Sequence, residues 1–429
     1  MSSLSEVPII YNLFPRHFRT VDEWSEIIPH VAEMGFNSIF VNPFHQTGFS
    51  GSLYAVKNYY KLNPLFLREG QDPSDFSPLK QFIDNCQQAG LGLLMDLVIN
   101  HTAFDADLTQ SHPQWYKRER DGKLASPYAV DPADPSNVTV WGDLAVIDNR
   151  FSNDRENLWR YWDELISFYQ NMGILGYRCD AAYQVPSELW EYLISRAKSR
   201  YPDTRFFAET LGCQLSEIEA LGNAGFDYLF NSSKWWNFDK PWALEQHELN
   251  KKIAPSIAFP ESHDTERLAS VPPGTAEVQR SRYAFAALFS RGLLMPQGYE
   301  YGAVTRMDVV KGTPEDVDIH KWDLSSWISR INALKIAVPV LGEEGNWKTL
   351  SDYRFPFLFL VKTSDYGNPA AYVCVNKNTK GETRVENWMV PQEIRECRKV
   401  LQLITENIDE SEIPEAFILD SADVLLFVK

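Results

Sequence analysis

Four short apolar runs in this chain are closed by residues that could do chemistry. "LGLLMDLVINH" ends in Asp96, Asn100 and His101. "LGYRCDAA" carries Arg178 and Asp180, "RFFAET" carries Glu209, and "FPESHD" ends in His263 and Asp264. Taken singly, each has a plain structural reading, as a buried cap, an ion pair, a loop start or a helix cap. Their joint position, at the ends of runs that read as buried strands, does not fit a set of accidents. A carboxylate in such a run costs several kcal/mol unless it is paired and hydrogen-bonded. Arg178 lies two residues before Asp180, on the same side of a strand, and supplies that pairing.

Three carboxylates without metal-ligand spacing and without a phosphate-cradling loop point to chemistry on a neutral acetal. Retaining cleavage of a glycosidic bond uses one carboxylate as nucleophile and a second as acid, then base, with the two groups about 5–5.5 Å apart. Their surroundings must push the two pKa values apart.

The elements that would hold these residues alternate. Strand candidates span 9–15, 38–44, 91–100, 175–182, 205–210, 226–231, 256–262 and 292–302. Between them lie helical patterns such as "LKQFIDNCQQAG" and "SNDRENLWRYWDELISFYQNMG", each ending in a glycine that can cap the helix. Eight strands alternating with helices predict a parallel (β/α)8 barrel, whose reactive residues gather at the C-terminal strand ends. The expected catalytic barrel comprises 1–101 and 146–343. Residues 102–145, rich in Asp, Pro and Ser, are too long for an ordinary loop and read as a small domain inserted after the third strand. From 344 to 429 the pattern alternates apolar and polar, which predicts a C-terminal antiparallel β-sandwich domain.

The totals limit the partners. The chain has 429 residues, 41 Lys+Arg against 58 Asp+Glu, and a formal net charge of -17. That balance argues against nucleic acid and anionic membranes. The five cysteines are scattered and form no CxxC, which suggests reduced thiols and a cytoplasmic protein without a zinc site. No signal peptide is read at the start, and no apolar run reaches the ~18 residues that span a membrane. The 13 Trp, 19 Tyr and 25 Phe provide core, and also flat surfaces suited to sugar rings. Nothing in the sequence specifies an oligomer.

The motifs resemble the conserved regions of the α-amylase family, glycoside hydrolase family 13. "DLVINH" is similar to its first region, "GYRCDAA" to its second, "FFAET" to its third and "FPESHD" to its fourth, in the family's order. The resemblance covers essentially the whole chain. It implies Asp180 as nucleophile, Glu209 as acid/base and Asp264 as the carboxylate that steadies the transition state through sugar hydroxyls. It places Arg178, His101 and His263 in the same subsite, and Tyr54 beneath the sugar that is attacked. The substrate it implies is an α-1,4-linked glucan or malto-oligosaccharide, cleaved through a covalent glycosyl-enzyme intermediate by an amylase-type hydrolase. A transglycosylase or phosphorylase of the same family is the alternative. Some members are non-enzymatic partners of membrane transporters, but those lack the carboxylates that are present here.

There are departures from the family pattern. The Lys-His pair that many members carry shortly after the nucleophile is missing. It serves acceptor binding and, through a carbonyl, calcium, so no cofactor is expected and activity is expected to survive chelation, although Asn100 resembles a calcium ligand. Ala55 replaces an Asp, and Ser262 stands where Asn is frequent. "GYEYGAVTRMDVV" and "WGDLAVIDN" resemble maltosyltransferases that use maltose 1-phosphate, while His263-Asp264 resembles ordinary amylase-type members.

Overall fold

The computed structural model describes residues 4–130, 134, 136–317, 320–368, 370–408, 410–414 and 417–428. Eight strands form a closed barrel: β1 (Ile9–Leu13), β2 (Ser38–Val41), β3 (Gly92–Leu97), β4 (Gly176–Cys179), β5 (Arg205–Ala208), β6 (Tyr228–Phe230), β7 (Ser256–Ala258) and β8 (Gly292–Pro296). Each pairs in parallel with its neighbours in sequence, and β8 pairs with β1. All eight expected strands are present, each shorter than its apolar run.

The interior is packed, not hollow. Ile10, Phe40, Leu94, Phe207, Phe230, Ile257 and Leu294 form one buried cluster with Leu4. Leu4 fills the space left by glycines at strand starts: a Cβ on Gly92 would lie 2.2 Å from its side chain, and one on Gly176 3.0 Å from it. Because strand side chains alternate, Leu94 and Asp96 share the inward face of β3, and Gly176 and Arg178 that of β4. Register places Gly176 beside Leu94 and Arg178 beside Asp96. Apolar residues thus fill the lower barrel, and a charged layer lies above them.

The helices cover the outside. Arg155–Met172 ends at Gly173, whose φ of 108° is the left-handed cap the sequence predicts. Ser77–Gln88 buries Leu79, Phe82, Ile83 and Cys86 against the barrel. "VDEWSEIIPHVAEMG" differs from the regular helix its spacing suggests: Val21–Ile27 is a 3-10 helix, and the α-helix starts only at Ile28, with a proline in its first turn.

The stretch read as an insertion leaves the barrel after β3. His101–Ala103 pairs antiparallel with Leu144–Val146, and Tyr128–Val130 with Val138–Val140. A short helix, Asp107–Ser111, also stands in this stretch. Residues 131–133 and 135 of its Asp- and Pro-rich segment lie outside the described residues. At the C-terminal end a six-stranded antiparallel sheet runs in the order 346–349, 357–363, 370–376, 424–428, 399–402, 410–412, with a second pair formed by 383–385 and 417–419. Trp347 stacks on Phe289 at 4.9 Å and joins this sheet to the barrel. The five cysteines form no disulfide. Among the described residues, no helix is long and apolar enough to cross a membrane.

Candidate active site

The charged layer gathers every residue singled out in the sequence at one mouth of the barrel. Asp180 is not inside a strand as the apolar run suggested. β4 ends at Cys179, and Asp180 follows in the turn, its amide donating to Leu97 O at 3.1 Å and its side chain 13% exposed. The carboxylate therefore faces the mouth and escapes the full cost of burial. Ala181, next in the chain, takes a left-handed φ of 40°, a strained conformation for a residue with a side chain.

Arg178 does pair with Asp180, at 3.2 Å, but its closer partner is Asp96. Its Nη1 lies 2.8 Å from both Asp96 oxygens. The two side chains are 5% and 0% exposed, so this is a buried ion pair whose partners satisfy each other. Burial opposes the charge on Arg178, but Asp96, Tyr54 and Asp180 hold it protonated. Burial pushes the Asp96 carboxyl up to about 6 against the pull of Arg178.

Tyr54 reaches the same point from a loop far away in sequence. Its hydroxyl donates to Asp96 Oδ2 at 2.6 Å, and it stands 2.7 Å from His263 Nε2 and 3.1 Å from Asn42 Nδ2. Asn12 Nδ2 in turn donates to Asn42 Oδ1 at 2.8 Å. Asn12 and Asn42 are the residues that sequence reasoning missed; polar side chains at the ends of β1 and β2 were the available signal. His263 Nε2 lies 3.1 Å from Asp264 Oδ2. Asp264 is half exposed at the rim. The crowding of the mouth raises its pKa, but His263, Arg178 and Arg306 together hold it below the usual carboxylate range.

Glu209 follows β5 and is buried. The amide of Ala181 donates to its Oε2 at 2.9 Å and that of Leu211 to its Oε1 at 2.5 Å. Its backbone is stitched to the same turn, with Glu209 N donating to Cys179 O and Ala182 N to Glu209 O, each at 3.1 Å. Burial, joined by the Asp180 charge, pushes its carboxyl up to about 7, although Arg178 and the Leu211 amide act against the rise. His101 is buried, and burial lowers its pKa, which keeps the ring neutral.

A calcium ion suits oxygen ligands, several of them carboxylates. Among the described residues Asn100 Oδ1 is buried without a partner, and Asn100 Nδ2 donates to Gln184 Oε1 at 3.4 Å. Around this amide pair the described residues bring no cluster of three or more His, Cys, Asp or Glu side chains.

The comparisons agree with this geometry. The family described as glycogen debranching enzyme, glucanotransferase domain, matches residues 8–133. A protein of Burkholderia pseudomallei named alpha-1,4-glucan:maltose-1-phosphate maltosyltransferase is 26% identical over 87% of this chain and 33% of its own length. One of the same name from Myxococcus xanthus is 24% identical over 85% of this chain and 58% of its own. The chain thus spans between a third and three-fifths of these relatives. Among solved structures, an α-amylase from Lactobacillus plantarum superposes with a TM-score of 0.76 at 20% identity, covering 99% of each chain. A maltogenic α-amylase, AmyB, from Thermotoga neapolitana gives 0.75 at 18%, covering 100% of each. These two likenesses are of fold.

Proposed function

We propose that the chain is a member of the α-amylase family and, within it, a retaining transglycosylase of α-1,4-linked glucans. Hydrolysis, the first expectation from sequence, uses the same residues. The names of the curated relatives support transfer more than hydrolysis, and maltose 1-phosphate is the donor those names suggest.

The observation that carries the reading is the way one turn holds two unlike carboxyls. Asp180 is paired with a buried guanidinium, and Glu209 is kept protonated near neutral pH by its burial. In this reading Asp180 attacks the anomeric carbon while Glu209 gives its proton to the leaving oxygen. A sugar hydroxyl then attacks the glycosyl ester. The bond to Asp180 breaks, the new glycosidic bond forms, and the hydroxyl proton goes to Glu209. Asp264 and His263 take the hydroxyls of the reacting sugar, and Tyr54 and His101 line the same subsite. The Asp96–Arg178–Tyr54 network holds them in place before substrate arrives, so little reorganisation is needed as charge develops.

Incubation with maltose 1-phosphate and maltotetraose, followed by product chromatography, tests this. Oligosaccharides longer than the acceptor together with free phosphate are expected. With maltoheptaose alone, both longer and shorter products should form. Proton NMR in the first minutes should show only the α anomer of any new reducing end. Shorter sugars alone would mean hydrolysis, and a β product would remove Asp180 from its role.

A further inference from the structure

Arg16 follows β1, in the 3-10 turn Pro15–His17. It is 9% exposed, yet its guanidinium is held by backbone carbonyls and not by a carboxylate. Nε donates to Val309 O at 2.9 Å, Nη1 to Gly312 O at 3.5 Å and Nη2 to Gly51 O at 2.5 Å. Burying a charge without a counter-charge is a costly way to fill space, and an apolar side chain of the same length would do so without desolvating an ion. What the guanidinium adds is a flat, rigid fork whose donors reach three carbonyls at once.

Those carbonyls belong to two loops beside the reactive mouth. Gly51 stands three residues before Tyr54, and Val309 and Gly312 lie in the loop after β8. Val309 O also accepts from the amide of Leu53 at 3.0 Å, so Arg16 and the residue just before Tyr54 meet on one oxygen. The Tyr54 ring is parallel to that of His263, at 5.7 Å. The start of the β8 loop is anchored separately: Arg267, paired with Glu261 at 2.9 Å, donates Nε to Thr305 O at 3.1 Å. Between the two anchors, residues 305–309 join His263 and Asp264 in lining a cavity of about 520 Å³. Within that stretch Arg306 Nη2 donates to Asp264 O at 3.0 Å. Gly312 lets the loop pass close over the turn after β1, since a Cβ there would lie 2.6 Å from Asp308 O and 3.2 Å from the Phe14 ring.

Resting on the transfer reading above, we propose that Arg16 is a positioning residue for the reaction: it clamps the loop that carries Tyr54 to the loop that carries Arg306, and so fixes the walls of the subsite around the attacked sugar before substrate binds. It touches no reacting atom and acts through Tyr54 and the backbone beneath Asp264. Without it, the junction of the two loops rests on the Leu53–Val309 hydrogen bond. Small displacements of the groups that meet the sugar then cost rate, because transition-state contacts depend on fractions of an ångström.

The test uses the full chain as wild type, Arg16→Met, Arg16→Lys and Arg16→Ala, with α-maltosyl fluoride as donor and maltotetraose as acceptor. Fluoride release gives kcat and KM, and urea unfolding reports the fold of each variant. Arg16→Met fills the space without the fork. Its kcat should fall at least about thirtyfold while unfolding stays cooperative, whereas Arg16→Lys, which keeps the charge but cannot reach all three carbonyls, should stay within about tenfold of wild type. Arg16→Ala leaves a hole for a free guanidinium ion, so about 20 mM guanidinium chloride should raise its kcat at least about fivefold and the same concentration of sodium chloride should not. A fall of less than about threefold in Arg16→Met overturns the clamp, and so does a folded Arg16→Ala that guanidinium fails to rescue. Should Arg16→Ala not fold, equal kcat values in Arg16→Met and Arg16→Lys overturn it. A wild type that releases no fluoride refutes the function proposed above and leaves the clamp to a binding test. In calorimetry Arg16→Met should then bind maltotetraose at least about fivefold more weakly than wild type, and an unchanged affinity overturns the clamp.

Discussion

Replacing Glu209 with Gln should make the protein more stable above neutral pH and slightly less stable in acid. The Glu209 carboxyl titrates near 4.5 when exposed and near 7 in the folded protein, raised by burial and by Asp180 against the pull of Arg178. Between those two values the folded protein keeps a proton that the unfolded chain has lost, so rising pH favours unfolding through that window. Below 4.5 the contribution is fully present, and above about 7 it is gone. At roughly 1.4 kcal/mol per tenfold change, the loss comes to about 3 kcal/mol. Gln has no proton to lose. Its oxygen can accept from only one of the two amides, Ala181 or Leu211, that now bind the carboxyl. The unmatched donor costs on the order of 1 kcal/mol at every pH. Glu209→Gln should therefore lower stability by about 1 kcal/mol at pH 4.5 and raise it by about 2 kcal/mol at pH 8. Urea unfolding of both proteins at the two pH values measures the difference directly. The same titration predicts that kcat/KM of the wild type falls as pH rises through about 7, because attack needs the protonated acid. A stability difference of one sign and size at both pH values would refute the claim that burial holds the Glu209 proton.

Asp96→Ala leaves Arg178 buried without its closest partner and should destabilise the fold by roughly 3–5 kcal/mol, read by chemical denaturation; a change under about 1 kcal/mol would show that Asp180 alone suffices to hold the guanidinium. Tyr54→Phe removes only the hydroxyl between Asp96 and His263. It should lower kcat/KM by about ten- to a hundredfold, in line with the loss of a hydrogen bond to a charged group, and lower Tm far less. Parallel losses of activity and Tm would make Tyr54 an ordinary packing residue.

The local pattern of the chain was enough for the barrel and for the charged residues at its strand ends, but not for Asn12 and Asn42. A run such as "LGLLMDLVINH" identifies a buried strand because continuous apolar residues bounded by turns have no other stable place. The charged residue that closes it stands out against that background. The same logic found Arg178, Glu209 and Asp264, and the two-residue repeat of a strand is enough to pair Arg178 with Asp180. What local pattern could not provide was the partner that matters most to Arg178. Asp96 meets it only because β3 and β4 run parallel in a register that sets the two side by side, and register is fixed by the closure of the whole barrel. Tyr54, Asn42 and Asn12 join the network across stretches of chain whose separation in sequence says nothing of their meeting. The protonation of Glu209 likewise follows from how deeply neighbouring strands and turns bury it, a quantity no short stretch contains. Residue types and periodicity are local properties, so the sequence by itself determined the strands and their polar ends; register, burial and distance arise only when the chain closes on itself, so the tertiary structure decided which of those ends touch.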